Sequence, residues 1–189
     1  DALLLPLLAR FRAGHPQIRL DVVTGNAALN LSRRDADIAL RATDAPPETL
    51  VGRRLARIAW ALYGAAGGTP DPAEADWVGL GDNLAGMKVA RALRDNVPPA
   101  RQAARFDGVA GLAAAVRAGL GIGHLPCFLG DADPALRRLA PPEPDFASDL
   151  WLLTHPDLRN TPRVRALMDS LSQQVGAVRP LVEGQVPRD

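Results

Sequence analysis

Disulfide chemistry within the chain is excluded, because Cys127 is its one cysteine. The same count rules out a cysteine-rich metal site and fits a reducing compartment. Aromatic residues are scarce, at 4% of the 189 positions, while hydrophobic residues reach 47%. The expected core is therefore aliphatic, and the length allows one large domain or two small ones. Lysine is nearly absent: Lys88 is the single one, and arginine supplies the rest of a basic set of 22 that 21 acidic residues almost cancel. A net charge of +1 gives no electrostatic footprint for nucleic acid or for an anionic membrane surface.

Long apolar runs are missing as well. The longest, residues 108–123, is glycine-rich and broken by Arg117, so it does not read as a membrane span. The N-terminus does not read as a signal peptide, since it lacks a basic leading region and places Arg10 and Arg12 directly after its leucines. No internal repeat is visible. The sequence has no G-x-S-x-G elbow, no H-E-x-x-H, no P-loop and no paired-cysteine zinc spacing. His15 and His155 each precede a proline and read as loop punctuation. These absences weaken an enzyme reading without excluding it, because a triad assembled from separated residues needs no local motif. No metal site and no cofactor is indicated.

What is present is organised around residues 106–130, FDGVAGLAAAVRAGLGIGHLPCFLG. Phe106 closes an extended run, and Asp107 is placed to cap a helix. Val109, Leu112, Ala113 and Val116 share one helical face. Gly119 or Gly121 supplies the left-handed residue that ends the helix, and residues 122–128 return as a short apolar run interrupted by Pro126. The glycines Gly119, Gly121 and Gly123 resemble a nucleotide fingerprint only in composition. That fingerprint opens a helix, whereas these glycines close one, so they are read as a helix end with close packing.

Taken in order, Leu3, Leu4, Leu7, Leu8 and Phe11 predict a helix ended by Gly14 and Pro16. Ile18, Leu20 and Val22 alternate with charged residues and predict a strand. Leu29 and Leu31 predict a short helix ending near Arg34, and residues 37–41 a second strand. Residues 51–63 read as mostly extended, residues 77–80 as a strand, residues 81–99 as having no clean period, and residues 101–106 as a strand. Residues 136–139 extend briefly, residues 150–154 form a strand, and Thr161 or Pro162 opens a last helix with Val164, Leu167, Met168 and Leu171 on one face. The tail after Gly176 is expected to fray. This alternation predicts a mostly parallel α/β sheet covered by helices. The Gly-, Pro- and Ala-rich residues 64–74 predict a crossing between two lobes, the first comprising residues 1–63 plus 154–189 and the second, inserted, residues 64–153. A ligand cleft is expected between them, at strand ends and helix starts.

Five segments in this order, LLPLLARFRAGHPQIRLDVVTGN, DADIALRAT, VGRRLARIAWALYGA, FDGVAGLAAAVRAGLGIGHLPCF and DLWLLTHP, make the chain similar to the effector-binding domain of LysR-type transcriptional regulators over nearly its whole length. The resemblance implies a type II periplasmic-binding-protein-like fold, in which two α/β lobes enclose a small-molecule effector. It implies a cytoplasmic homodimer or tetramer, and contact with DNA only through an N-terminal winged helix-turn-helix, which is not seen before Leu3. It departs from the family at the start, where the family's first strand has no room, and between Tyr63 and Trp77, which is short.

Under that resemblance the candidate effector contacts fall in four groups. Thr24, Gly25 and Asn26 follow a strand, and their N–H and hydroxyl groups suit a carboxylate or plain turn chemistry. Arg41 is a candidate bidentate anion clamp, with Thr43 beside it; the alternative is an ion pair of Arg41 with Asp37 or Asp44. Asp107, Gly108 and Val109 open the central helix, whose backbone N–H groups rather than the Asp107 charge favour an anion. His124 and Pro126 follow the glycine turn, where His124 is either an effector donor and pH sensor or simply packed. Cys127 reads as a small buried thiol rather than a redox sensor. The leading function is effector sensing for a transcription regulator, with a small carboxylate as the expected ligand and no membrane partner. A solute-binding receptor for transport shares the fold class, and an enzyme on the same two-lobe scaffold is the remaining alternative.

Overall fold

The computed structural model describes residues 2–25, 36–68 and 71–186. The chain divides into two units, residues 1–58 with 148–180, and residues 59–147 with Leu181–Asp189. The first junction therefore falls before Ala59, not after Tyr63, and the return falls before Ser148, not after Leu153. The reason lies in the strand pairings: a division after Tyr63 would cut the strand at residues 60–65, which pairs with residues 123–126 and 136–138, and one after Leu153 would cut the strand at residues 148–154. The chain passes between units a third time, and from Leu181 onward it belongs to unit 2.

In unit 1, helix α1 (Leu4–Gly14) buries Leu7, Leu8 and Phe11 at the i, i+1, i+4 spacing of an amphipathic helix. It packs on α5 (Pro162–Ala177), whose buried face is Val164, Met168, Leu171 and Val175, with Leu167 half-buried. Gln174 of α5 donates to the Leu7 carbonyl at 3.2 Å. The sheet of unit 1 has the order β1-β8-β2, built from β1 (Ile38–Ala42), β8 (Ser148–Thr154) and β2 (Val51–Ile58). Both pairings are antiparallel, with Leu40 opposite Leu152 and Arg53 opposite Leu152 on the other side. Asp149 of β8 sits 3.2 Å from Arg54 and 3.5 Å from Arg57.

The strand expected at Ile18, Leu20 and Val22 is not formed. Residues 18–25 carry no regular structure, and Val22 and Val23 are 46% and 66% exposed. A strand needs a neighbour for its backbone groups, and among the described residues none pairs with this stretch. The helix expected at Leu29 and Leu31 lies outside the described residues.

In unit 2, β3 (Trp60–Ala65) runs antiparallel between β6 (Gly123–Pro126) and β7 (Leu136–Arg138). A second pair, β4 (Trp77–Leu80) and β5 (Gln102–Phe106), is parallel, and a parallel bridge joins Trp77 to Ile122. Among the described residues this is the one parallel ladder, so the expectation of a mostly parallel sheet fails. Parallel pairing needs a crossover helix. Helix α2 (Lys88–Asn96) supplies it between β4 and β5, and α3 (Val109–Arg117) between β5 and the Ile122 bridge.

Helix α2 was not expected, yet its buried Val89, Ala90 and Leu93, followed by buried Val97, fit one face. Helix α3 buries Leu112, Ala113, Ala115 and Val116 and packs against β3, β4, β5 and β6. Burial of Leu112 and Val116 alone contributes about 1.5–3 kcal/mol each. Gly119, at φ +77°, ends the helix turn. Gly121 and Gly123 answer a different need: a Cβ on the first would lie 2.6 Å from the Asp76 carbonyl oxygen, and on the second 2.8 Å from that of Val78. The short helix α4 (Cys127–Gly130) follows β6 directly, because Pro126 ends the strand and suits the residue before a helix. As far as Val182 the tail does not fray: α6 (Arg179–Val182) ends on Val182, which is fully buried.

Candidate functional site

The C-terminal ends of β4 and β5 meet the start of α3. The Gly81 N–H donates to the Phe106 carbonyl at 2.8 Å, and Asn83 Nδ2 donates to the Asp107 carbonyl at 2.8 Å. Parallel strands ending at a helix N-terminus form the kind of rim where α/β proteins hold small ligands. The residue at the helix start is Gly108, with extended φ −159° and ψ 159°, and no side chain caps the turn. Asp107 was expected to do this; it stands one position too early. The cap residue of α3 thus supplies no side-chain acceptor to the first-turn N–H groups, and the first turn holds no acidic residue; such a terminus carries a partial positive charge. Asn83, which pins this loop, was missed because nothing in its local sequence distinguishes it from an ordinary turn residue.

The other unit 2 candidates sit in β6. His124 lies opposite Leu62 and Pro126 opposite Trp60. The His124 ring stacks obliquely on Trp77, with centroids 5.6 Å apart, and edge-on to Phe146 at 5.0 Å. Burial lowers its pKa to about 4, so the ring is neutral at pH 7. Packing is therefore its visible role. Pro126 is buried, and Cys127 is a fully buried free thiol whose pKa burial raises.

In unit 1, Thr24 and Gly25 are exposed in the irregular stretch after Leu20, and Asn26 lies outside the described residues. Arg41 is half-buried in β1, opposite Trp151. Thr43 closes that strand: its hydroxyl oxygen accepts the Ala45 N–H at 3.2 Å, and its own N–H donates to the Asp149 carbonyl at 2.9 Å. That is a turn built on a threonine hydroxyl. Asp37 lies 3.6 Å from Arg163, and Asp44 accepts the Asp149 N–H at 3.2 Å. The structure therefore brings Arg41 and Thr43 together at one strand end, and Asp107, Gly108 and Val109 together at one helix start.

One charged group that sequence reasoning did not single out is deeply placed. Asp131 accepts the Tyr63 hydroxyl at 2.8 Å and Arg138 Nε at 3.1 Å, with Arg138 Nη2 on its second oxygen. The Asp131 side chain is 1% exposed. Its partners are 68 and 7 residues away, so no local signal announces the cluster. Among the described residues no group of three or more His, Cys, Asp or Glu side chains could hold a metal ion, and no helix is long and apolar enough to cross a membrane.

Comparison with known proteins places this architecture. Residues 1–176 match the LysR substrate binding domain. The chain is 33% identical over 191 residues to the HTH-type transcriptional regulator CrgA of Neisseria meningitidis serogroup C, covering 92% of this chain and 63% of that protein. It is 30% identical over 195 residues to the probable HTH-type transcriptional regulator LtrA of Klebsiella pneumoniae, covering 92% and 62%. The chain thus spans less than two thirds of the length of these relatives. Among solved structures, the regulatory domain of Neisseria meningitidis CrgA superposes with a TM-score of 0.73 at 27% identity, over 93% of both chains. The effector domain of Pseudomonas aeruginosa AmpR superposes at 0.70, with 20% identity over 94% of this chain and 90% of that one. The fold is type II periplasmic-binding-protein-like, with two α/β lobes, and the chain belongs to the LysR substrate-binding domain family.

Proposed function

We propose that this effector-binding domain senses a small organic anion, such as a carboxylate, in the cytoplasm and passes the signal to a DNA-binding domain in the full-length regulator. The observation that carries the anionic reading is the start of α3: Gly108 stands at its cap without a side chain, and the first turn holds no acidic residue. Backbone N–H donors in that state favour a negative ligand by about 0.3–1 kcal/mol per terminus, more when partly buried. Thr24, Gly25, Asn26, Arg41, Thr43, His124 and Pro126 are the further candidate contacts, with Asp107 a candidate through its backbone N–H and not its charge. Association of two copies, as the family resemblance implies, is tested by light scattering at micromolar concentration.

The ligand assay is isothermal calorimetry of this domain against a panel of small organic acids and matched amines. An acid that binds, and binds less well to the Thr24→Val variant, supports the reading. Binding confined to amines would overturn it. Transcriptional-regulator relatives favour sensing over catalysis.

A further inference from the structure

We propose that residues 181–184 form a strap docked on unit 2 and latched by Arg138, and that release of this strap is the event that exposes the Cys127 thiol. The segment arrives from α5 of unit 1, after every strand of unit 2 is already complete. Two of its residues attach it specifically. Val182 is fully buried, and its carbonyl accepts the Ala59 N–H at 3.0 Å. The Gly184 carbonyl accepts Arg138 Nη1 at 3.0 Å. Gly184 has φ +66°, and a Cβ placed there would lie 2.9 Å from Cys127 Sγ, 3.0 Å from Pro142 Cγ and 3.2 Å from Ala59 Cβ. The strap therefore lies directly against the thiol, and only glycine allows the approach.

Arg138 is a positioning residue in this arrangement. Asp131 holds its Nε and Nη2, Tyr63 in turn holds Asp131, and Nη1 is thereby directed to the strap carbonyl. Ala59 is the shared hinge point: its N–H bonds Val182, and its carbonyl accepts the Cys127 N–H at 2.8 Å. The β6-β3-β7 ladder makes its pairings without the strap. Release therefore breaks no strand pairing of the unit, as a local opening short of unfolding requires.

The test is the rate at which a maleimide labels Cys127 under native conditions. In the intact chain labelling is slow. Deletion of residues 181–189 should accelerate it about tenfold or more, the scale of losing one buried valine and two hydrogen bonds, with a cooperative melt retained. Gly184→Val, which leaves Asp131 and Arg138 paired, should act in the same direction. A folded variant of either kind that labels as slowly as the intact chain overturns the proposal. A second measurement needs no variant. As denaturant rises, the opening constants from Ala59 amide exchange and from Cys127 labelling should coincide, below the global transition. Labelling of Cys127 only through global unfolding would equally overturn it.

Discussion

The phenolic oxygen of Tyr63 lies 2.8 Å from Oδ1 of Asp131, with Tyr63 fully buried and the Asp131 side chain 1% exposed. Burial foremost, with Cys127 and Asp131 nearby, pushes the Tyr63 pKa upward, so the phenol stays a donor at every physiological pH. Arg138 completes the cluster with a side chain 18% exposed. A buried ion pair is weak evidence for net stability, but removing one member leaves the other charge unpaired. Arg138→Met should therefore destabilise the protein by about 3–5 kcal/mol, and Tyr63→Phe, which removes only a neutral donor, by about 1–2 kcal/mol. Urea unfolding of both variants checks the order; equal losses would show that the ion pair does not dominate the cluster.

His124 gives a pH signature. Its folded pKa, about 4, lies below the unfolded value of 6.5. Above pH 6.5 both states are neutral and the group contributes no pH dependence. Between pH 6.5 and 4 the unfolded chain binds the proton and the native chain does not, so stability falls as pH falls. The full loss is on the order of 3 kcal/mol, at about 1.36 kcal/mol per pKa unit. Stability curves of the wild type and His124→Leu should diverge across this window and run parallel above it. Parallel curves throughout would show that His124 is not held neutral.

The three glycines after α3 should respond unequally to alanine. Gly119→Ala meets no neighbour and strains only the backbone at φ +77°, a loss of roughly 1 kcal/mol. Gly121→Ala and Gly123→Ala drive a methyl into backbone oxygens that cannot step aside, and overpacking of that kind costs about 1–3 kcal/mol. Thermal melts rank them; a Gly119 variant that is the worst of the three would contradict the assignment of roles.

The run from Phe106 to Pro126 was legible because each cue is local: a β run, an aliphatic helical face, glycines to stop it, a proline to end the strand. Helix α2 was equally local, yet its apolar face of Val89, Leu93 and Val97 is diluted by Lys88, Arg91, Arg94 and Asp95, and the window was read as aperiodic. Residues 18–22 show the opposite failure. Their alternation is real, but a strand exists only when another segment accepts its hydrogen bonds. The partners Tyr63, Asp131, Arg138 and Gly184, and the packing of Val182 beside Ala59, join distant parts of the chain and leave no local pattern. At the candidate site the helix start was legible and its cap was not. Asp107 and Gly108 both suit that position, and the strand end at Phe106 decides which of them occupies it.

That one-residue question yields the sharpest test of the site. Gly108 has extended backbone angles open to any residue, and a Cβ there meets nothing within 4 Å. Gly108→Asn should cap α3 and raise stability by a few tenths of a kcal/mol. Gly108→Asp should do the same and add a favourable interaction with the helix terminus, about 0.3–1 kcal/mol at low ionic strength. If the effector is an anion held by the first-turn N–H groups, both substitutions consume its donors, and the aspartate also repels it. Affinity should therefore fall for Asn and fall further for Asp while stability rises, a combination that general damage cannot produce. Urea unfolding and calorimetry on the same preparations measure both quantities. Raised stability with unchanged affinity would move the effector site away from the start of α3.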